Sequence, residues 1–163
     1  MYIKGKYWEN YIGDSDDSLT LVEYLAGKGK EEITVGEIFS DFGVDKLNGD
    51  FRTPESFLTY TNEEGWEMDI QYAISMLTDL AAILLECKIN GSVNLCELFG
   101  GELKTDTPVI RITTRDAEHE TIQKVLRDFV ENPLAYNLSE MCSEDEMTEM
   151  AEICKNLVNE LYE

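Results

Sequence analysis

Asp69-Ile-Gln-Tyr-Ala-Ile-Ser-Met-Leu-Thr-Asp-Leu-Ala-Ala-Ile-Leu-Leu-Glu-Cys-Lys88 is the most apolar long stretch of the chain. Ile70, Ala73, Ile74, Leu77, Leu80, Ala81, Leu84 and Leu85 recur at the three-and-four spacing that keeps one helix face inward. Tyr72, Met76 and Ile83 widen that face, so the helix is expected to be covered on more than one side. Asp69, Asp79 and Glu86 interrupt the run, which excludes a membrane span. A core helix over 69–88, ended by Asn90-Gly91, therefore organises the remainder.

Upstream, Met1 to Ile12 is rich in aromatics and tends to alternate, which suggests a short strand or extended arm. Leu19, Leu21, Val22 and Leu25 give a helical face over Ser18–Ala26, with Asp16 or Asp17 as N-cap and Gly27 as stop. Thr34-Val-Gly-Glu37 is a capping box and opens a short helix over Val35–Phe42 that ends at Gly43, its face formed by Ile38, Phe39 and Phe42. After the Asn48-Gly49 turn, Phe57-Leu-Thr-Tyr-Thr61 has strand composition. Asn62-Glu-Glu-Gly65 is a polar loop leading to Trp66.

Downstream, Ser92–Phe99 and Pro108–Thr114 read as strands, and the Gly100-Gly101 loop permits an antiparallel pair. Ile122, Val125, Leu126 and Phe129 restore helical spacing over Ala117–Val130, ended by Asn132-Pro133. Ser143-Glu-Asp-Glu146 is a second capping box, opening a terminal helix with Met147, Met150, Ala151, Cys154, Leu157, Val158 and Leu161 inward. No internal repeat or long linker divides the chain. The expected fold is α+β: one helix-rich domain over residues 1–163 with a small, mainly antiparallel sheet.

The 163 residues carry 13 Lys and Arg against 34 Asp and Glu, a net charge of -21. A field of that sign repels nucleic acid and anionic membrane and steers a basic partner. Cys87, Cys96, Cys142 and Cys154 form no Cys-x-x-Cys pair, and Met1-Tyr-Ile-Lys-Gly-Lys-Tyr7 has no apolar signal-peptide core. A cytoplasmic protein with reduced thiols is the expectation.

Few residues invite chemistry. Asp14-Ser-Asp-Asp-Ser18 opens like a calcium loop, but Leu19 and Leu25 stand where such a loop needs Gly and Glu. Gly13-Asp14-Ser15 with Asp116-Ala-Glu-His119 resembles two blocks of the GDSL hydrolases, which would make Ser15 the nucleophile, His119 the base and Asp116 its orienter. That alternative lacks the buried strand before the serine and a Gly-x-Asn-Asp block. His119 is the only histidine, no glycine-rich phosphate loop is present, and the basic residues do not cluster. No cofactor is expected.

What remains is aromatic and acidic surface. Trp8, Tyr11 and Trp66, with Asp14, Asp16, Asp17, Glu63 and Glu64, are the candidate partner-binding residues, because aromatic anchors and charge complementarity divide the work at tight interfaces. The pattern Tyr7-Trp8, Tyr11-Ile12-Gly13, Asp16-Asp-Ser-Leu-Thr-Leu21, Tyr24-Leu25 resembles the opening of immunity proteins from bacterial polymorphic-toxin and contact-dependent growth inhibition systems. Over the rest of the chain the likeness is one of size, acidity and layout. The resemblance implies a small, non-enzymatic cytoplasmic protein that occludes a cognate toxin domain, often a nuclease. An acidic adaptor for some other basic protein is the remaining binding alternative, and the sequence leaves the oligomeric state open.

Overall fold

The computed structural model describes all 163 residues. The central helix α3 spans Ala73–Asn90, and every residue from Ala73 to Glu86 is buried. It packs against helices α1 (Asp16–Lys28), α5 (Asp116–Glu131) and α6 (Glu144–Tyr162) and against strand β5 (Val109–Thr113). That surround explains a helix apolar on nearly all sides. One hydrophobic cluster runs from Ile3 to Leu161, and no helix is long and apolar enough to cross a membrane.

Helix α3 begins four residues later than its spacing suggests. Asp69 and Ile70 instead end strand β3 (Glu67–Ile70), which pairs antiparallel with β2 (Leu58–Thr61) so that Tyr60 faces Met68 and Leu58 faces Ile70. A second sheet has the order β1-β5-β4, with β1 (Glu32–Thr34) parallel to β5 and β4 (Val93–Asn94) antiparallel to it. The fold is thus α+β, helix-rich, with two small sheets, and the parallel β1–β5 pair adds a mixed element to an expected antiparallel arrangement.

Caps account for most boundaries. Ser15, not Asp16 or Asp17, caps α1: its Oγ accepts the Ser18 N–H at 3.2 Å. The helix runs through Gly27 to Gly29, whose φ of 64° and bond to the Ala26 carbonyl supply the left-handed stop. Leu19, expected inward, is 44% exposed. Thr34 caps α2 (Val35–Phe42) as expected, but the Glu37 carboxylate bonds Lys28 and Lys30 rather than closing the box. At α6 both arms of the Ser143–Glu146 box are made, each at 3.1 Å.

Residues Leu95–Phe99 form a short helix, α4, where strand was expected, because Asn94 Oδ1 accepts the Cys96 and Glu97 amides and ends the strand. This exposes a local duplication. Ile33-Thr-Val-Gly-Glu-Ile-Phe39 and Val93-Asn-Leu-Cys-Glu-Leu-Phe99 are both strand, polar cap and helix; each follows a helix stopped by a left-handed glycine, and they flank β5 on its two sides.

The N-terminal dozen residues form neither strand nor arm. They coil through turns that bury Ile3, Tyr7, Trp8 and Ile12, with isolated bridges from Trp8 to Lys4 and Ile12. The Trp8 indole donates to the Leu98 carbonyl at 3.0 Å. Gly13, at φ 79°, lies so close to that indole that a Cβ would stand 2.2 Å from Trp8 Cδ2, so no side chain fits there.

Candidate functional site

Strands β2 and β3 meet in a tight turn. The Gly65 N–H bonds the Asn62 carbonyl at 3.0 Å, the Asn62 N–H bonds the Trp66 carbonyl at 2.9 Å, and Asn62 Oδ1 accepts the Glu64 and Trp66 amides at 3.0 Å each. Gly65 takes the φ of 86° that closes such a loop. This braced tip presents Glu63 and Glu64 to solvent, with Trp66 68% exposed.

A groove of about 550 Å³ runs between the tip and the C-terminal half of α1. Its apolar lining is Tyr24, Tyr60 and Met68, and Glu23, Glu63 and Glu64 contribute its carboxylates. The Tyr24 and Tyr60 rings meet edge to face at 5.1 Å, with Phe42 behind Tyr24 at 4.8 Å. Burial, reinforced by the bond to Asp41, pushes the Tyr24 hydroxyl pKa up, so it stays a donor. Lys28 lies 2.9 Å from Asp41 and 3.0 Å from Glu37, and its ammonium stands over both tyrosine rings at 5.6 and 6.0 Å. Partial burial works to lower the Lys28 pKa, and the bonds to Asp41 and Glu37 outweigh it. Lys30 is paired with Glu37 at 2.8 Å, the largest cause of that carboxyl's lowered pKa. No Lys or Arg pairs with Glu23, Glu63 or Glu64.

The opposite end of α1 meets the first turns of α6 around a pocket of about 190 Å³. Tyr11, Asp14, Ser15, Asp79, Glu146 and Met150 are among its lining. Asp79 is wholly buried, accepting the Gly13 N–H at 3.0 Å and the Ser18 hydroxyl at 2.7 Å. Burial pushes its carboxyl up to about 7 against those two bonds. Tyr11 donates to Glu149 at the surface.

The structure divides the eight candidate partner-binding residues. Glu63, Glu64 and Trp66 stand together at the hairpin tip, while Tyr11, Asp14 and Asp16 are exposed near the start of α1, a helix about 20 Å long by its rise per residue. Trp8 and Asp17 correct the expectation of an outward position. Trp8 is 1% exposed because Gly13 and Leu98 enclose its ring, and Asp17 is buried accepting the Gln71 and Tyr72 amides at 2.8 and 3.0 Å. Burial raises the Asp17 pKa against those bonds. Glu23, Tyr24, Tyr60 and Met68 were not anticipated as surface-lining residues; recognising β3 would have put Tyr60 opposite Met68.

The hydrolase constellation does not assemble. Ser15 is a helix cap sharing its pocket with Glu146 and Met150, whereas His119 stacks edge to face on Tyr162 at 4.4 Å. Met150 and Tyr162 are separated along α6 by roughly 18 Å. His119 Nδ1 is buried without a partner, and Asp116 is exposed in the first turn of α5. The Asp14–Ser18 segment caps α1, and no group of three His, Cys, Asp or Glu side chains is placed to hold a metal ion. All four cysteines are free, Cys154 within the core and Cys87 half-buried.

The family model described as Immunity protein 68 (Imm68) matches residues 2–161. No curated protein and no solved structure matches the chain.

Proposed function

The chain belongs to the immunity protein 68 family, and from that premise we propose that it neutralises a cognate toxin domain by stoichiometric occlusion, without chemistry of its own. The toxin is a nuclease whose basic, nucleic-acid-gripping face is covered by this acidic surface in the cytoplasm. One observation carries the reading: of 34 acids only Glu9, Glu37, Asp41, Asp128 and Glu160 stand in an ion pair. The exposed carboxylates that remain form a field complementary to such a face and hostile to nucleic acid itself.

The test is titration of the toxin domain encoded beside this chain. Nuclease activity should fall linearly and vanish at one equivalent, with a one-to-one complex by native mass spectrometry. Full toxin activity in molar excess of the chain overturns the reading. So does inactivation by catalytic amounts, which would make the chain an enzyme.

A further inference from the structure

We infer that the groove between α1 and the β2–β3 hairpin is the toxin-docking surface, and that its occupant is an arginine-bearing loop of the toxin domain. This rests on the occlusion reading above and assigns it a place. Charge comes first. The two lysines that line the groove are satisfied internally, Lys28 by Glu37 and Asp41 and Lys30 by Glu37, while Glu23, Glu63 and Glu64 have no basic partner. The groove therefore offers three uncompensated carboxylates to an incoming cation.

The lining then selects among cations. The Lys28 ammonium already stands within reach of the Tyr24 and Tyr60 rings, and because Tyr24 is buried while Tyr60 is half-buried, Tyr60 is the ring the groove leaves to a second cation. A guanidinium is planar, stacks flat on an aromatic ring and bonds a carboxylate through two parallel N–H groups, so it can lie on Tyr60 and pair two oxygens of the acidic rim at once, a fit that a compact ammonium lacks. Trp66 supplies the anchor. It is 68% exposed, its indole N–H finds no acceptor within the fold, and the braced Asn62–Trp66 turn holds its backbone in place. A large aromatic on an ordered turn brings much apolar area for only two side-chain torsions, the usual property of an interface hot spot. A second copy of this chain is a poor occupant, because two grooves of like charge on molecules of net charge -21 repel.

The experiment measures binding of the toxin domain encoded beside this chain to wild type and to three surface variants, each checked for folding by circular dichroism. Trp66→Ala should weaken binding at least ~30-fold and the pair Glu63→Gln with Glu64→Gln by ~10-fold or more, scaled to hot-spot truncations. The pair Glu120→Gln with Glu131→Gln, on the exposed side of α5, loses the same charge elsewhere and should stay within about threefold of wild type, the range of a peripheral charge. Phenylglyoxal footprinting of the toxin should find one arginine protected by wild type and exposed with Trp66→Ala. Wild-type binding with all three variants unaffected overturns the groove and leaves occlusion standing; failure of wild type to bind overturns occlusion itself. Protection of lysines alone overturns the arginine assignment. Self-association of the free chain that Trp66→Ala abolishes would give the groove to a second copy.

Discussion

Asp79 sits wholly inside the protein with two neutral donors and no cation, the Gly13 amide and the Ser18 hydroxyl. The other carboxylates that face it, Asp14 and Asp17, add to the raising of its pKa, and Cys154 approaches from α6 as a thiol that burial keeps protonated. Its folded value of about 7 lies above the unfolded value near ~4 for an aspartate. Between those values the folded carboxyl keeps its proton while the unfolded one has lost it. This contribution to stability is therefore full below the unfolded pKa, declines as pH rises towards 7, and is flat above. One such group contributes a slope of at most ~1.4 kcal/mol per pH unit. Asp79→Asn keeps an oxygen for the Gly13 N–H and offers an N–H to the Ser18 hydroxyl, so it should fold and be less sensitive to pH than wild type from pH 5 to 7. Urea midpoints at pH 5, 6, 7 and 8 read the difference, in which the many surface acids cancel. Equal pH slopes in the two proteins would remove Asp79 from the account. Asp128 acts in the opposite sense: its bond to Arg52 lowers it to about 2, and its small, solvent-screened contribution is lost as pH falls towards that value.

Helix α3 lacks a side-chain cap of its own, since Tyr72 provides none. Asp17 of α1 instead accepts the two amides that lead into it, one oxygen from the Gln71 N–H and one from the Tyr72 N–H. A single buried carboxylate thus joins α1 to the end of the hairpin and the start of α3, and so sets how the hairpin lies along α1. Asp17→Ala should cost about 2 kcal/mol, the scale of buried amides left unpaired. Native-state hydrogen exchange should show the Gln71 and Tyr72 amides opening before the rest of the β3–α3 junction. Unchanged protection there would mean that Asp17 is a passive resident. Elements with complete local signals were legible in the sequence: α2 and α6 from Thr34 and Ser143 with their glutamates, and β5 from its β-branched run. Strand β3 was hidden because Asp69 and Ile70 continue the helical spacing of α3. Helix α4 was hidden because Val93–Leu98 is as apolar as a strand, and only the Asn94 cap decides the matter. The candidate site divides the same way. Glu63, Glu64 and Trp66 were readable from a polar turn, whereas the burial of Trp8 depends on Leu98 and the groove depends on tertiary contact between Tyr24 and Tyr60.

At the scale of the whole molecule, a net charge of -21 is met by few internal ion pairs, so most of the acids have no basic partner within the fold. Like charges repel across the surface, so added salt should raise the thermal midpoint of the free chain as that repulsion is screened. The same salt should weaken toxin capture, and kinetics separate the causes. Long-range steering acts on encounter, and its range falls from roughly 14 Å at ~0.05 M to about 4 Å at ~0.5 M salt. The association rate should accordingly drop at least ~10-fold across that interval. Dissociation depends more on short-range contacts, and the docking proposed above, anchored by Trp66, predicts a dissociation rate that changes much less. Stopped-flow mixing with the toxin domain at the two salt concentrations gives both rates. A dissociation rate that carries most of the salt dependence would move the weight of binding from the exposed tryptophan to desolvated ion pairs at Glu23, Glu63 and Glu64. A salt-independent association rate would leave the acidity of the chain to solubility alone.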